Sequence, residues 1–333
     1  MGGGVMKRAT VYTVAEQVGV SIATVSRVIN GHYRGDEETR QKVLDAIQQL
    51  DYRPNREARR LMGKATGTRM VGVMAPFFVH PFFTEVLKGA YRVIHGNGHS
   101  ILLYDVDTKL MKKQIIRRVV EEDMLDGLLM INMHLNEQEY ELITRRIPLV
   151  LVAAETEFAD CVLVDNHEAV VKGVRYIHGL GHRSIAYVNN VNDIYESRVR
   201  EKAFREEAER LGIRARVDYR NVDSRSGYLG ARAIADHWDE VTCLFYYSDL
   251  MAYGGLNYVM ENGLDDRVSV MGFDGFEAAL HLHLTTVVQP MEMMGETGAR
   301  LLQDKIERRE SERRRIVLDT WIEKGTTCKE ALT

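Results

Sequence analysis

The sequence predicts an all-α head of helix-turn-helix type followed by an α/β body of two doubly wound parallel-sheet lobes. Three observations carry this. Residues 10–30, TVYTVAEQVGVSIATVSRVIN, hold two short amphipathic stretches divided by a glycine. Beyond residue 68, short β-rich runs recur (MVGVMAP, SILLYDV, DGLLMIN, PLVLVAA, CVLVDN, SIAYVNN, CLFYYSD, VSVMGFDG), most of them separated by amphipathic helical stretches. Such alternation builds parallel sheets covered on both faces. That many strands over about 260 residues fit two lobes better than one oversized sheet.

In the first helix Val11, Val14, Ala15 and Val18 recur at helical spacing, and Gly19 follows as the residue that takes a left-handed backbone without a Cβ penalty. Ser21 is placed to cap the second helix, whose Val25, Val28 and Ile29 face inward. Its outward face, Ala23, Thr24, Ser26, Arg27 and Asn30, is short and polar. A merely solvated face favours Glu, Lys and long i,i+4 pairs. Short hydroxyl side chains instead let a helix approach bases and phosphates, and Arg27 is suited to bridge guanine O6 and N7. The alternative is a small three-helix domain that binds protein; the inter-helix spacing and the polar face fit a major-groove reader better.

Asp36 is placed to cap a third helix, DEETRQKVLDAIQQL, with Val43, Ala46, Ile47 and Leu50 in one apolar stripe. In YRPNREARRLMGK, Pro54 takes a first helical position, and Arg56, Arg59, Arg60 and Lys64 crowd around Ala58, Leu61 and Met62. One bulky aliphatic residue in a short basic segment suits the minor groove, where an apolar wedge unstacks a base step while Arg neutralises phosphate.

With these residues in place, the chain resembles the LacI/GalR family of bacterial transcription regulators over nearly its whole length. That family's pattern T-x-x-D-V-A-x-x-A-G-V-S-x-x-T-V-S-R-V-x-N, then T-R-x-x-V and Y-x-P-N-x-x-A-x-x-L, stands here as TVYTVAEQVGVSIATVSRVIN, TRQKV and YRPNREARRL. The resemblance implies that Tyr12, Ser21, Ile22, Ala23, Thr24, Ser26, Arg27 and Asn30 meet the major groove and backbone. It implies a hinge helix formed by Asn55, Ala58 and Leu61, with Leu61 as the wedge at the centre of a pseudo-palindromic operator bound by a homodimer. Two departures, Thr13 for the usual Asp and Gly35-Asp36 for the usual Val-Ser, spare the groove-reading positions and bear on fine specificity.

The implied organisation is a helix-turn-helix domain over 1–52, a hinge helix and linker over 53–67, and an effector-binding and dimerisation body over 68–333. The body is expected to be of the periplasmic-binding-protein-like type I kind, with a ligand cleft between its lobes. The chain is expected to cross between lobes near 165–167, 293–296 and 318–322.

Charge agrees with a modular protein. Residues 1–64 hold eleven Lys or Arg against seven Asp or Glu within a chain of net charge −4, so a basic head at +4 precedes an acidic body at −8. The three cysteines, Cys161, Cys243 and Cys328, have no zinc spacing, and their odd number argues against a disulfide framework. No metal or cofactor is expected. No apolar run approaches the roughly 18 residues of a membrane span, and MGGGVMKR lacks the apolar core of a secretory signal. The expectation is a cytoplasmic protein with Met6 as an alternative start.

Open α/β sheets place ligands at the carboxyl ends of strands. After the first strand the aromatic loop offers Phe77, Phe78 and Phe82 as stacking surfaces for a sugar ring or purine, with Phe83 assigned to the core. Other strand ends carry Asp105, Asn132, Asp165, Asn190, Asp249 and Asp274, suited to a polyol ligand. Helix capping is the alternative role for these groups, notably for Asn166 and Asp249. The resemblance implies that Asp274, after Gly272-Phe273, accepts a ligand hydroxyl or amine. It also implies that Arg200 in SRVREKAF faces the ligand, although Ala203 replaces that motif's glycine. The effector residues expected are therefore Phe77, Phe78, Phe82, Asp165, Arg200, Asp249 and Asp274, and the effector a sugar or related metabolite.

Two departures bear on the partner. Val222 stands where an aromatic wall is common, and Ala153-Ala154 where ribose-type sites carry Asp-Arg. With VVQPMEMMG at 287–295, the alanines are similar to the catabolite-control branch, whose partner is a phosphorylated phosphocarrier protein. Catalysis is not expected: His182 and Ser184 lack an orienting acid, and no nucleophile elbow, P-loop or dinucleotide fingerprint is present. A free periplasmic or cytosolic sugar-binding protein is the remaining alternative, opposed by the DNA-binding head.

Overall fold

The computed structural model describes residues 10–29, 32–50, 52, 69–76, 78–106, 108–122, 124–237, 240–308 and 312–331. The chain divides into two compact units, Met1–Gly67 and Thr68–Thr333. The head contains α1 (Val11–Val18), α2 (Ile22–Ile29) and α3 (Glu37–Gln49). Gly19 ends α1 at φ +73°, and its amide donates back to the Ala15 carbonyl. Thr13, the departure from the family's Asp, closes a reciprocal capping box with Thr10: each side-chain oxygen accepts the other residue's amide. Ser21 Oγ accepts the Thr24 amide at 3.1 Å and Asp36 Oδ1 the Thr39 amide at 2.7 Å, so both expected caps are made. Val14, Val25 and Val43 are fully buried at the centre of this small core, which Tyr52 closes.

Two six-stranded sheets form the second unit. The first lobe holds β1 (Met70–Ala75), β2 (Ser100–Asp105), β3 (Gly127–Ile131), β4 (Leu149–Val152), β5 (Asp160–Val164) and β11 (Arg315–Leu318), in the order β11-β5-β4-β3-β1-β2. The second holds β6 (Ser184–Asn190), β7 (Arg214–Arg220), β8 (Cys243–Tyr246), β9 (Ser269–Asp274), β10 (Thr285–Val288) and β12 (Trp321–Glu323), in the order β12-β10-β9-β8-β6-β7. Neighbouring strands run parallel except β10 and β12, which are antiparallel. The central strands are buried on both faces, which is why they read as continuous apolar runs.

Three crossings join the lobes. Two fall where expected, between β5 and the helix Asn166–Gly179 and between β11 and β12. The other lies at Gln289–Pro290 rather than 293–296, because the helix Met291–Arg308 already packs on β3, β4 and β5 of the first lobe. That helix also packs tightly on Pro81–Gly96. A Cβ on Gly295 would meet the Val86 carbonyl, and one on Gly89 the Glu292 carbonyl, so the two glycines let the backbones touch. Part of the VVQPMEMMG run is thereby explained by helix packing. Gly295→Ala is expected to cost about 1–3 kcal/mol by overpacking, read as a lower urea midpoint; an unchanged midpoint would count against this close approach.

Among the described residues no helix is long and apolar enough to cross a membrane.

Candidate functional site

On the head, α2 turns Val25 and Val28 inward and leaves Ala23 and Arg27 exposed, with Thr24 and Ser26 half-buried. The Arg27 guanidinium lies along its own helix, its Nε donating to the Ala23 carbonyl at 3.3 Å. Ser21 and Thr24 hydroxyls share a 2.9 Å hydrogen bond at the start of the helix, and Tyr12 stands 68% exposed on α1. Ile22 is half-buried against the head core, so it serves packing as well as any contact outside. Asn30, Asn55, Ala58 and Leu61 lie outside the described residues.

In the second lobe two side chains near the carboxyl ends of β8 and β9 are held in unusual states. Arg200, on the helix Tyr195–Arg210, is 5% exposed. Its guanidinium carbon sits 3.7 Å from the centroid of the Phe273 ring and 4.6 Å from that of Tyr247. Nε donates to Asn166 Oδ1 at 2.8 Å and Nη1 to the Tyr247 carbonyl at 2.9 Å. The cation is thus held between aromatic faces rather than solvated.

Asp274 ends β9 at φ +128°, a strained value for a residue with a side chain, and is 3% exposed. Gln289, at the second crossing, holds it twice: the amide side chain donates to Asp274 Oδ1 at 2.8 Å, and the backbone amide donates to the Asp274 carbonyl at 2.9 Å. Burial, and then the neighbouring Asp249 carboxylate, push the Asp274 carboxyl up to about 8, against the pull of Arg200. Asp249 itself is fully buried, with Oδ2 accepting the Gly275 amide and Oδ1 the Thr286 hydroxyl, each at 2.6 Å. It therefore supports the Asp274 turn from beneath. Ser248 caps the helix Asp249–Glu261, the role considered for Asp249.

The other expected positions divide. Asp165 is exposed and caps Asn166–Gly179 by accepting the Glu168 amide at 3.0 Å, while Asn166, considered as a capping residue, takes the Arg200 contact instead. Phe82, expected as a stacking surface, is buried with Phe83, and the two rings meet edge to face at 5.3 Å. Phe78 is half-buried against the core, and Phe77 lies outside the described residues. His182 bonds Thr242 and the Lys329 carbonyl, which ties the C-terminal segment to the second lobe and leaves no base for Ser184. Among the described residues no cluster of His, Cys, Asp and Glu is arranged to hold a metal. Phe273, Tyr247 and Gln289 were not anticipated as site residues. Phe273 and Gln289 stand inside motifs already singled out, whereas Tyr247 had no local signal.

Residues 10–55 match the family described as bacterial regulatory proteins, lacI family, and residues 174–327 match the periplasmic binding protein-like domain. The transcriptional regulator RegA of Clostridium saccharobutylicum is 33% identical over 325 residues, covering 92% of this chain and 95% of that protein. The chain belongs to the LacI family. As a LacI-family protein it is a DNA-binding regulator of transcription and not an enzyme. Its relatives include the transcriptional repressor PurR of Vibrio campbellii, 28% identical over 97% of this chain and 99% of that one. The solved structure of the transcriptional regulator CelR in complex with cellobiose superposes with a TM-score of 0.70 at 27% identity, covering 96% of this chain and all of CelR.

Proposed function

We propose that this LacI-family regulator is a cytoplasmic, homodimeric repressor that binds a pseudo-palindromic operator and is switched by a small ligand, a sugar or related metabolite, held between its lobes. The observation that carries the reading is the buried Arg200, stacked on Phe273 of β9, together with the strained, buried Asp274 that ends the same strand beside Gln289 at a lobe crossing. Groups held at such cost at a crossing are suited to sense an occupant and to convert its binding into lobe rotation. The cellobiose complex of CelR supports a sugar as the ligand class, and the PurR relative supports repression. On the head, Tyr12, Ser21, Ile22, Ala23, Thr24, Ser26, Arg27 and Asn30 address the major groove, and Asn55, Ala58 and Leu61 the minor groove.

A screen of thermal stability with sugars, sugar phosphates, nucleosides and purines, read with operator binding on the same samples, tests the switch. A ligand that raises the melting temperature and changes operator affinity is expected. If only a phosphorylated phosphocarrier protein changes operator affinity, the gate is a protein instead.

Exposed apolar residues support a dimer face on the second lobe. Tyr253 and Leu282 line a recess of about 420 Å³ between the helices Asp249–Glu261 and Glu277–His281, and Leu280 stands exposed on the second of these. Contiguous apolar surface of this kind fits a self-complementary interface. Leu282→Asp is expected to convert the dimer to a monomer by light scattering and to weaken operator binding. A dimer that persists at micromolar concentration would place the interface elsewhere.

A further inference from the structure

We propose that His134 and Glu196 form a clasp between the two lobes that positions the helix carrying Arg200. His134 lies between β3 and the helix Glu137–Thr144 of the first lobe, and Glu196 lies in the first turn of Tyr195–Arg210 in the second. Separated by 62 residues in sequence, they meet with His134 Nε2 donating to Glu196 Oε1 at 3.1 Å. The Tyr195 ring packs edge-on against the imidazole at 5.4 Å, so two successive residues of the second lobe grip one side chain of the first. The Glu196 side chain is only 8% exposed, and a carboxylate so placed requires a partner.

Both halves are anchored. Lys112 donates to the His134 carbonyl at 2.9 Å and to Glu139 at 2.7 Å, and Glu139 closes a capping box with Asn136, so the segment that carries His134 is fastened to two helices. On the other side, Glu196 precedes Arg200 by four residues and shares its helix face. Phe273 and Tyr247 belong to the same lobe as Arg200, so relative movement of the lobes that breaks the clasp shifts this whole group, Arg200 included, against the first lobe. The three crossings are single chain segments that allow rotation, and the clasp is a side-chain contact that resists it. Its consequence for effector binding rests on the proposal that the effector lies between the lobes.

The test uses the full chain with spin labels on Arg118→Cys and Arg232→Cys, one exposed site in each lobe, since the native cysteines are all buried. Distances are measured between the labels with neither effector nor operator present. His134→Ala and Glu196→Ala are each expected to raise the ratio of open to closed molecules about tenfold, as one hydrogen bond between an exposed imidazole and a buried carboxylate warrants. The double variant should go no further, and His134→Gln, which keeps a donor near the Nε2 position, should restore the original distribution. An unchanged distribution in the His134→Ala protein overturns the clasp, as does a change that His134→Gln fails to reverse. Because no effector enters this measurement, its failure leaves effector gating to be judged separately, by the response of an Asp274 variant.

Discussion

Asp274→Asn is expected to weaken effector binding by about tenfold, the loss typical of one buried hydrogen bond, while making the free protein more stable at and above neutral pH. In the unfolded chain an aspartate titrates near 3.9. In the fold, burial and the adjacent Asp249 raise Asp274 to about 8. Between those pH values the folded protein retains a proton that the unfolded chain has lost. The stability this confers is complete below about pH 4, is lost progressively as pH rises toward about 8, and levels off above it.

Asparagine is neutral throughout and keeps an acceptor for Gln289, so the variant escapes that loss. Urea unfolding from pH 4 to 9 should show the two proteins diverging as pH rises, with the variant the more stable. Titrating groups remote from Asp274 are common to both proteins and cancel in the difference, whereas Asp249, which faces it, titrates together with it and contributes to the divergence. Parallel curves would show that the carboxyl is not held in its neutral form. A variant that gains stability and still responds fully to the effector would remove Asp274 from the ligand site. The expected combination is that of a functional group retained at the expense of stability.

The head and the central strands were legible because their signals are local. Gly19, Ser21 and Asp36 each act within a few residues of their place in the chain, and the caps they make follow from side-chain length and backbone freedom. Among the strands, most of those buried on both faces announced themselves as apolar runs, the exception being β10, whose TTVV is buried but half polar. The missed ones were β7, whose sequence RARVDYR is half charged because it lies at a sheet edge, and the short β10, β11 and β12. The displaced second crossing has a similar origin: Gln289-Pro290 is a two-residue passage with no composition shift.

At the site, the positions of Arg200 and Asp274 were legible from motif but their states were not. What stacks on Arg200 comes from β9 and from the residue after β8, and what raises Asp274 is burial and then a carboxylate 25 residues away in sequence. Phe82 shows a packing role that its position in the sequence did not reveal. An aromatic residue at a strand end looks like a ligand platform until the helix it begins is seen to turn it into the core. The pairing of His134 with Glu196 left no trace at either position, since neither residue belongs to a periodic pattern or a motif.

Leu61→Ala is expected to lower specific operator affinity about ten- to a hundredfold while leaving non-specific DNA binding and its salt dependence nearly intact. Leu61 lies outside the described residues, so the argument rests on YRPNREARRLMGK, where it is the bulky aliphatic residue among Arg56, Arg59, Arg60 and Lys64. A wedge contributes by unstacking one base step and fixing a bend that brings the rest of the protein into register, worth a few kcal/mol and realised only on a sequence that bends readily. Basic residues contribute through counterion release, which is independent of sequence. The two roles separate in one titration series. Removing the wedge should lower the ratio of operator to random-DNA affinity at constant salt slope, whereas Arg59→Ala should weaken both and reduce the slope by about one. If Leu61→Ala weakened operator and random DNA equally, the leucine would be packing the segment rather than entering the groove, and specificity would have to reside in α2 alone.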